Sequence, residues 1–156
     1  MRPLLASIAL LSAVCAARAA DLSFKLVWPE WKDAESFQSY YEEHTGRELT
    51  GKWIVLRSQP AKRSGLYFLA RVENPGPQVN GAAFVLRIIT LTSVETKTFT
   101  FPSAVPGGSR LFEIGLTGSD WTDVHGEPVA WELELEGADG HVLARKTSFL
   151  WEKPAR

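Results

Sequence analysis

Residues 129–151 read VAWELELEGADGHVLARKTSFLW. Val129, Trp131, Leu133 and Leu135 alternate with Glu132, Glu134 and Glu136, and a period of two places each set on its own face of an extended chain. This predicts a strand with one apolar face and one wet face, on which Glu132 and Glu134 are ordinary solvated side chains and not a catalytic pair. A further run covers 141–151. Between the two lies Gly137-Ala138-Asp139-Gly140, and an Asp-Gly pair flanked by strand patterns is the strongest short-range hairpin signal. The two runs are therefore expected to be antiparallel neighbours. If Asp139 and Gly140 are the central residues of a type I′ turn, Glu134 stands across from Arg145. A three-residue loop puts Glu132 across from Lys146 instead.

Upstream, the runs 22–28, 52–58, 66–73, 82–90, 95–101 and 110–116 show the same alternation or enrichment in β-branched and aromatic residues, separated by turn-forming clusters. The first sets Leu22, Phe24, Leu26 and Trp28 on one face. Asn74-Pro75-Gly76-Pro77 ends the third, Pro102 is expected to stop the fifth, and Gly107-Gly108-Ser109 reads as a hairpin turn. One segment breaks the pattern. Asp33 is placed to cap a helix over about 34–44, whose Phe37, Tyr40, Tyr41 and His44 form one stripe, with Gly46 to end it.

Roughly seven or eight short strands and one short N-terminal helix predict an all-β chain folded as a two-sheet antiparallel β-sandwich. The expected organisation is a single domain over 20–156, in which an extension at 21–58 (strand, helix, strand) sits on a body at 65–151. In strand count, spacing and closing hairpin this body resembles an immunoglobulin-like or fibronectin type III-like domain. The resemblance is one of fold. The cysteine pair with an intervening tryptophan, and the tyrosine near the start of the penultimate strand, are missing, while Trp131 holds an inward position suited to a core tryptophan.

The N-terminus reads as an address. Arg2 supplies a basic start, 4–14 is a continuous run of apolar and small residues, and Ala17-Arg18-Ala19 has small side chains where signal peptidase needs them. Residues 1–19 are thus expected to be a cleaved secretory signal peptide. The run is far shorter than the roughly 20 residues of a membrane-spanning helix, and no later stretch approaches that length. Lipidation at Cys15 is not expected, because Val14 is a poor final residue for a lipobox. The expected destination is the periplasm or the cell exterior.

Of the 156 residues, 45% are hydrophobic and 22% charged, which fits a globular domain and not a disordered tail. With 17 basic against 18 acidic residues there is no electrostatic footprint for nucleic acid. Removal of Arg2, Arg18 and Cys15 leaves 15 basic and 18 acidic residues, a net charge of −3 and no cysteine, so disulfides and thiol chemistry are not expected in the processed chain.

Candidate chemistry is sparse. Nucleophile elbows, His-Glu-x-x-His motifs and phosphate loops are absent from the sequence, and no cofactor is expected. The loop 120–127 offers Asp120, Asp123 and His125 as candidate metal ligands for a metal-dependent hydrolase. A connecting loop whose Trp121 plugs the end of the sandwich explains the same residues and is the preferred reading. The aromatic residues of the N-terminal third, Trp28, Trp31, Trp53 and Tyr41, are candidates for ligand contact, since flat rigid rings stack on sugars and anchor protein interfaces. Packing of those rings with the helix into a second small core is the preferred reading, although the rigid turn Trp28-Pro29-Glu30-Trp31 can hardly bury both indoles.

The expected function is therefore non-enzymatic: an exported sandwich with a binding or structural role, whose partner is a protein or a carbohydrate. The threonine-rich run 95–101 is a candidate edge for pairing with a partner strand, and its charges equally suit an edge built to stay unpaired.

Overall fold

The computed structural model describes residues 21–37 and 53–152. Among these residues there are eight strands: β1 (Ser23–Lys32), β2 (Trp53–Arg57), β3 (Gly65–Asn74), β4 (Val79–Thr90), β5 (Ser93–Val105), β6 (Gly108–Thr117), β7 (Ala130–Glu136) and β8 (Val142–Thr147). They form two four-stranded sheets, the first in the order β1-β3-β6-β2 and the second in the order β5-β4-β7-β8. The expected two-sheet all-β sandwich is what the chain builds. All pairings are antiparallel except that of β2 with β6, which is parallel.

Alternation makes the core. Leu66, Phe68, Ala70 and Val72 of β3, with Phe112, Ile114 and Leu116 of β6, face Phe84, Leu86 and Ile88 of β4 and Trp131, Leu133 and Leu135 of β7. Phe84 lies 4.7 Å from Phe112 between ring centroids, and Trp131 meets Phe68 edge-on at 5.5 Å. Trp121 is buried in the same core, so it plugs the sandwich as expected.

Several local expectations are corrected. A bulge at Lys25 shifts the register of β1 between Phe24 and Leu26. The extra residue turns the strand over: Val27 enters the core, while Leu26 is 52% exposed and does not continue the face begun by Leu22 and Phe24. Pro102 does not end β5, which runs on to Val105. A proline is tolerated there because β5 is an edge strand, where one missing N–H need not interrupt a ladder. Gly107-Gly108-Ser109 makes no hairpin, since it carries the chain from the second sheet into the first; Gly108 adopts φ +83° in that crossover. Asn74 pins this crossover to the turn after β3, its side-chain amide donating to the carbonyls of Pro77, Val105 and Pro106.

The closing hairpin combines the two anticipated registers. Gly140 N donates to the Gly137 carbonyl and Gly140 has φ +79°, while Asp139 stays at negative φ. The turn is therefore centred on Ala138 and Asp139 with Gly140 in the left-handed position, and it is not type I′. A bulge beyond it shifts the register, so Glu134 still stands across from Arg145. The face of β7 expected to be wet is covered. Glu132 is buried, with Arg87 donating to its Oε1 at 2.8 Å and Arg145 closing on its Oε2; Arg87 also reaches Glu134. Hydrogen bonding to Glu134 leads the causes that hold the Arg87 guanidinium above its ordinary pKa, so it stays charged.

Of the expected N-terminal helix, the described residues hold one 3-10 turn, Glu35–Phe37. Asp33 caps it as expected, accepting from the backbone N (2.8 Å) and the hydroxyl (2.7 Å) of Ser36; the hydroxyl contact leads the causes that lower its carboxyl pKa. Residues 38–44, with Tyr40, Tyr41 and His44, and the leader at 1–20 lie outside the described residues. Among the described residues no helix is long and apolar enough to cross a membrane.

Candidate functional site

The outer face of the first sheet is where aromatic, cationic and carboxylate groups meet. Four strands and the 3-10 turn contribute. Tyr67 of β3, Gly115 of β6 and Arg57 of β2 stand side by side in the sheet register. The Tyr67 ring lies flat across Gly115: a Cβ built on that glycine would have three atoms of the ring closer than 3.0 Å. Because Gly115 has no side chain, the phenol spans β6 and reaches β2, where its oxygen accepts from Arg57 Nε at 2.8 Å. The same hydroxyl donates to the Arg63 carbonyl at 2.6 Å. Phe37 also packs on Tyr67, with ring centroids 4.9 Å apart and planes tilted by 45°. Gly115→Ala is expected to lower the unfolding free energy by about 1–3 kcal/mol through this overlap, measured as a reduced urea midpoint at unchanged slope.

One turn of sheet away, Glu113 is 1% exposed although it points to the outer face. Its Oε1 accepts from Lys32 Nζ at 2.6 Å, and its Oε2 is buried without a hydrogen-bond partner among the described residues. The Lys32 ammonium also lies 5.5 Å from the Phe37 ring centre and 5.6 Å from that of Trp53, while the Arg57 guanidinium sits 4.8 Å from Phe37. Each such cation–ring contact contributes about 0.5–2 kcal/mol, more as water is excluded. The result is a layered platform: a buried carboxylate holds an ammonium, and the ammonium lies over the ring of a half-exposed indole.

The six tryptophans separate clearly on exposure. Trp121 and Trp131 are buried, Trp28, Trp31 and Trp151 are half-buried, and Trp53 is 51% exposed. Trp31 packs against the core and Trp28 stands opposite Leu69 on the outer face of the first sheet. Of the sequence-derived candidates, then, Trp53 is presented to solvent, while Trp28 and Trp31 are partly withdrawn; Tyr41 lies outside the described residues. Lys32, Phe37, Arg57, Tyr67 and Glu113 were not candidates from the sequence. The signal that marks their surface is the unbroken apolar run 66–70, the pattern of a strand buried on both faces.

The loop 120–127 is organised around its own backbone. Trp121 Nε1 donates to the Asp123 carbonyl at 2.8 Å, and Asp123 Oδ1 accepts from His125 N at 3.1 Å. Asp120, Asp123 and Glu127 line a recess of about 240 Å³ shared with Thr92 and Lys97, and His125 is exposed outside that lining. Among the described residues no three His, Cys, Asp or Glu side chains are placed to hold a metal ion. No family model, curated protein or solved structure matches the chain.

Proposed function

We propose that the protein is an exported, non-catalytic β-sandwich that works by binding, and that its contact surface is the outer face of the first sheet around Trp53. The observation that carries this reading is the half-exposed indole of Trp53 held against Lys32, which the buried Glu113 in turn fixes. A large ring immobilised before contact loses little entropy on binding, which is why such residues dominate interfaces. Export rests on the leader-like residues 1–19 and directs the partner to the periplasm, the envelope or the exterior. We propose also that the sandwich is immunoglobulin-like. The order β1-β3-β6 against β5-β4-β7-β8 supports it, matching A-B-E against C′-C-F-G, with β2 inserted beside the E position.

Trp53→Ala provides the test. The side chain is half exposed, so the substitution is expected to change stability by about 1 kcal/mol or less. The full chain, expressed with its leader and immobilised, is exposed to envelope extract and to an array of bacterial and plant glycans. Material retained by the wild type and lost from Trp53→Ala supports the reading, and its chemical nature separates a protein from a carbohydrate partner. Retention that is identical in the two forms overturns it.

A further inference from the structure

The side chain of asparagine or aspartate brings a carbonyl carbon within reach of the next backbone nitrogen, and a glycine in that next position leaves the approach unhindered. The sequence holds two asparagines, Asn74 and Asn80, and one Asp-Gly pair, Asp139-Gly140. The fold closes two of these three places. Asn74 is buried, its amide donates to the carbonyls of Pro77, Val105 and Pro106, and its Oδ1 accepts from Gly76 N at 3.0 Å. The residue after it is Pro75, whose nitrogen has no proton to lose. Asp139 Oδ1 accepts from His141 N at 3.0 Å, and that hydrogen bond leads the causes that lower its carboxyl pKa. It therefore stays a carboxylate, which is a poor electrophile.

Asn80 is left open. It is exposed near the start of β4, where the register with β5 breaks between Val79 and Ala82, so neither Asn80 nor Gly81 has a partner in that ladder. Pairing with β7 begins only at Ala83. Among the described residues one hydrogen bond holds the Asn80 side chain: its Oδ1 accepts from the exposed Gln78 Nε2 at 2.8 Å. That donor faces the oxygen on which negative charge develops when Cγ is attacked, and it leaves the amide Nδ2 unheld. We infer that Asn80 is a site of spontaneous modification in the folded protein, where the amide is lost through a cyclic imide to give aspartate and isoaspartate. The Gly81 nitrogen, its proton taken by hydroxide, attacks Asn80 Cγ; the new C–N bond closes the imide while the Cγ–Nδ2 bond breaks and the amide leaves as ammonia. Water then opens the ring at Cγ to give aspartate, or at the Asn80 backbone carbonyl to give isoaspartate. One water enters and one ammonia departs, with no change of oxidation state. Gly81 sits at φ +69°, and a Cβ there would lie 3.0 Å from Ala138 Cβ, so the labile pair is held in place by the fold's own need for a glycine. Each molecule thereby gains one negative charge with age. The site belongs to the second sheet and Trp53 to the first, so the inference is independent of the binding reading.

The test is to hold the full chain for several weeks at neutral pH in water enriched in heavy oxygen, both folded and unfolded in guanidinium, and to map the products by peptide mass spectrometry. Asn80 is expected to convert in the folded chain at a rate within about tenfold of the unfolded one, because the fold does not shield it. Two separable products, aspartate and isoaspartate, are expected, each carrying one heavy oxygen from the water. The rate is expected to rise with pH, since the attacking nitrogen must first lose its proton. In the folded chain Asn74 and Asp139 are expected to remain unchanged over the same period. Asn80→Gln, which keeps an amide at this exposed position but must close a larger ring, is expected to lose at least about nine-tenths of the conversion at residue 80. A folded rate more than about tenfold below the unfolded one overturns the inference, because the fold then protects the site. So does modification of folded Asn74 or Asp139 ahead of Asn80, a product without heavy oxygen, or undiminished conversion in Asn80→Gln.

Discussion

Replacing Lys32 by methionine is expected to lower the unfolding free energy by about 3–5 kcal/mol, the range for removing one partner of a buried ion pair. Methionine keeps most of the length and apolar volume of the lysine stem, so packing against Phe37 and Trp53 is largely preserved. What is lost is the donor to Glu113 Oε1, while its Oε2 is already without a partner among the described residues. The carboxylate is then left desolvated with neither oxygen satisfied. Removing the charge on both sides separates this cause from a simple loss of contact. The pair Lys32→Met with Glu113→Leu is expected to recover most of the stability, because a buried ion pair replaced by well-packed apolar groups is often neutral or better. Urea unfolding of both single variants and the double variant measures the coupling. A Lys32→Met effect below about 1 kcal/mol would show that solvent reaches Glu113 and that the ion pair does not fix the platform under Trp53.

The second large effect is expected in the core. Phe84 is fully buried, stands opposite Phe101 and Leu135 in the sheet register, and packs its ring on Phe112 and Phe24. It touches both sheets. Phe84→Ala is expected to cost about 3–5 kcal/mol, combining the lost burial with a cavity that four surrounding rings and aliphatic groups cannot collapse to fill. Phe84→Leu, which keeps most of the apolar volume, is expected to restore more than half of that loss. The two variants should unfold with unchanged urea slopes and lowered midpoints. A reduced slope for Phe84→Ala would mean instead that the sheets part before the chain unfolds.

The strands were legible because burial on one face writes a period of two into the sequence, as 129–136 does most plainly. What escaped was set by neighbours. Nothing in 22–28 announces that Lys25 is the extra residue of a bulge, since the pattern on either side of it is regular and only pairing with β3 reveals the shift. Pro102 reads as a stop unless its strand is known to lie at an edge, and edge position depends on the order of the whole sheet. Glu132 reads as solvated until Arg87, 45 residues away, is found beside it.

The candidate site divides in the same way. Trp53 was visible as an aromatic residue in a thin N-terminal segment. Its supports were not, because Lys32 and Glu113 are separated by 81 residues and are joined only by the folding of the first sheet. Gly115 was equally silent. A glycine in a strand signals a close approach, and the identity of the approaching ring comes from the register with β3.

The parallel pairing of β2 with β6 bears on the order of assembly. The second sheet contains two hairpins, β4 with β5 and β7 with β8, each of which closes over a short loop. Among the described residues the first sheet contains none, and each of its pairings joins segments that are far apart along the chain. Long loops are slow to close, so the hairpin sheet has the means to nucleate early and to serve as the template on which the other is laid down. Within the first sheet β2 needs β6 already in place, and Trp53 comes with it. The proposed contact surface is thus among the last parts of the molecule to form. A chain caught part-way through folding lacks that proposed face, and a completed one presents it at once.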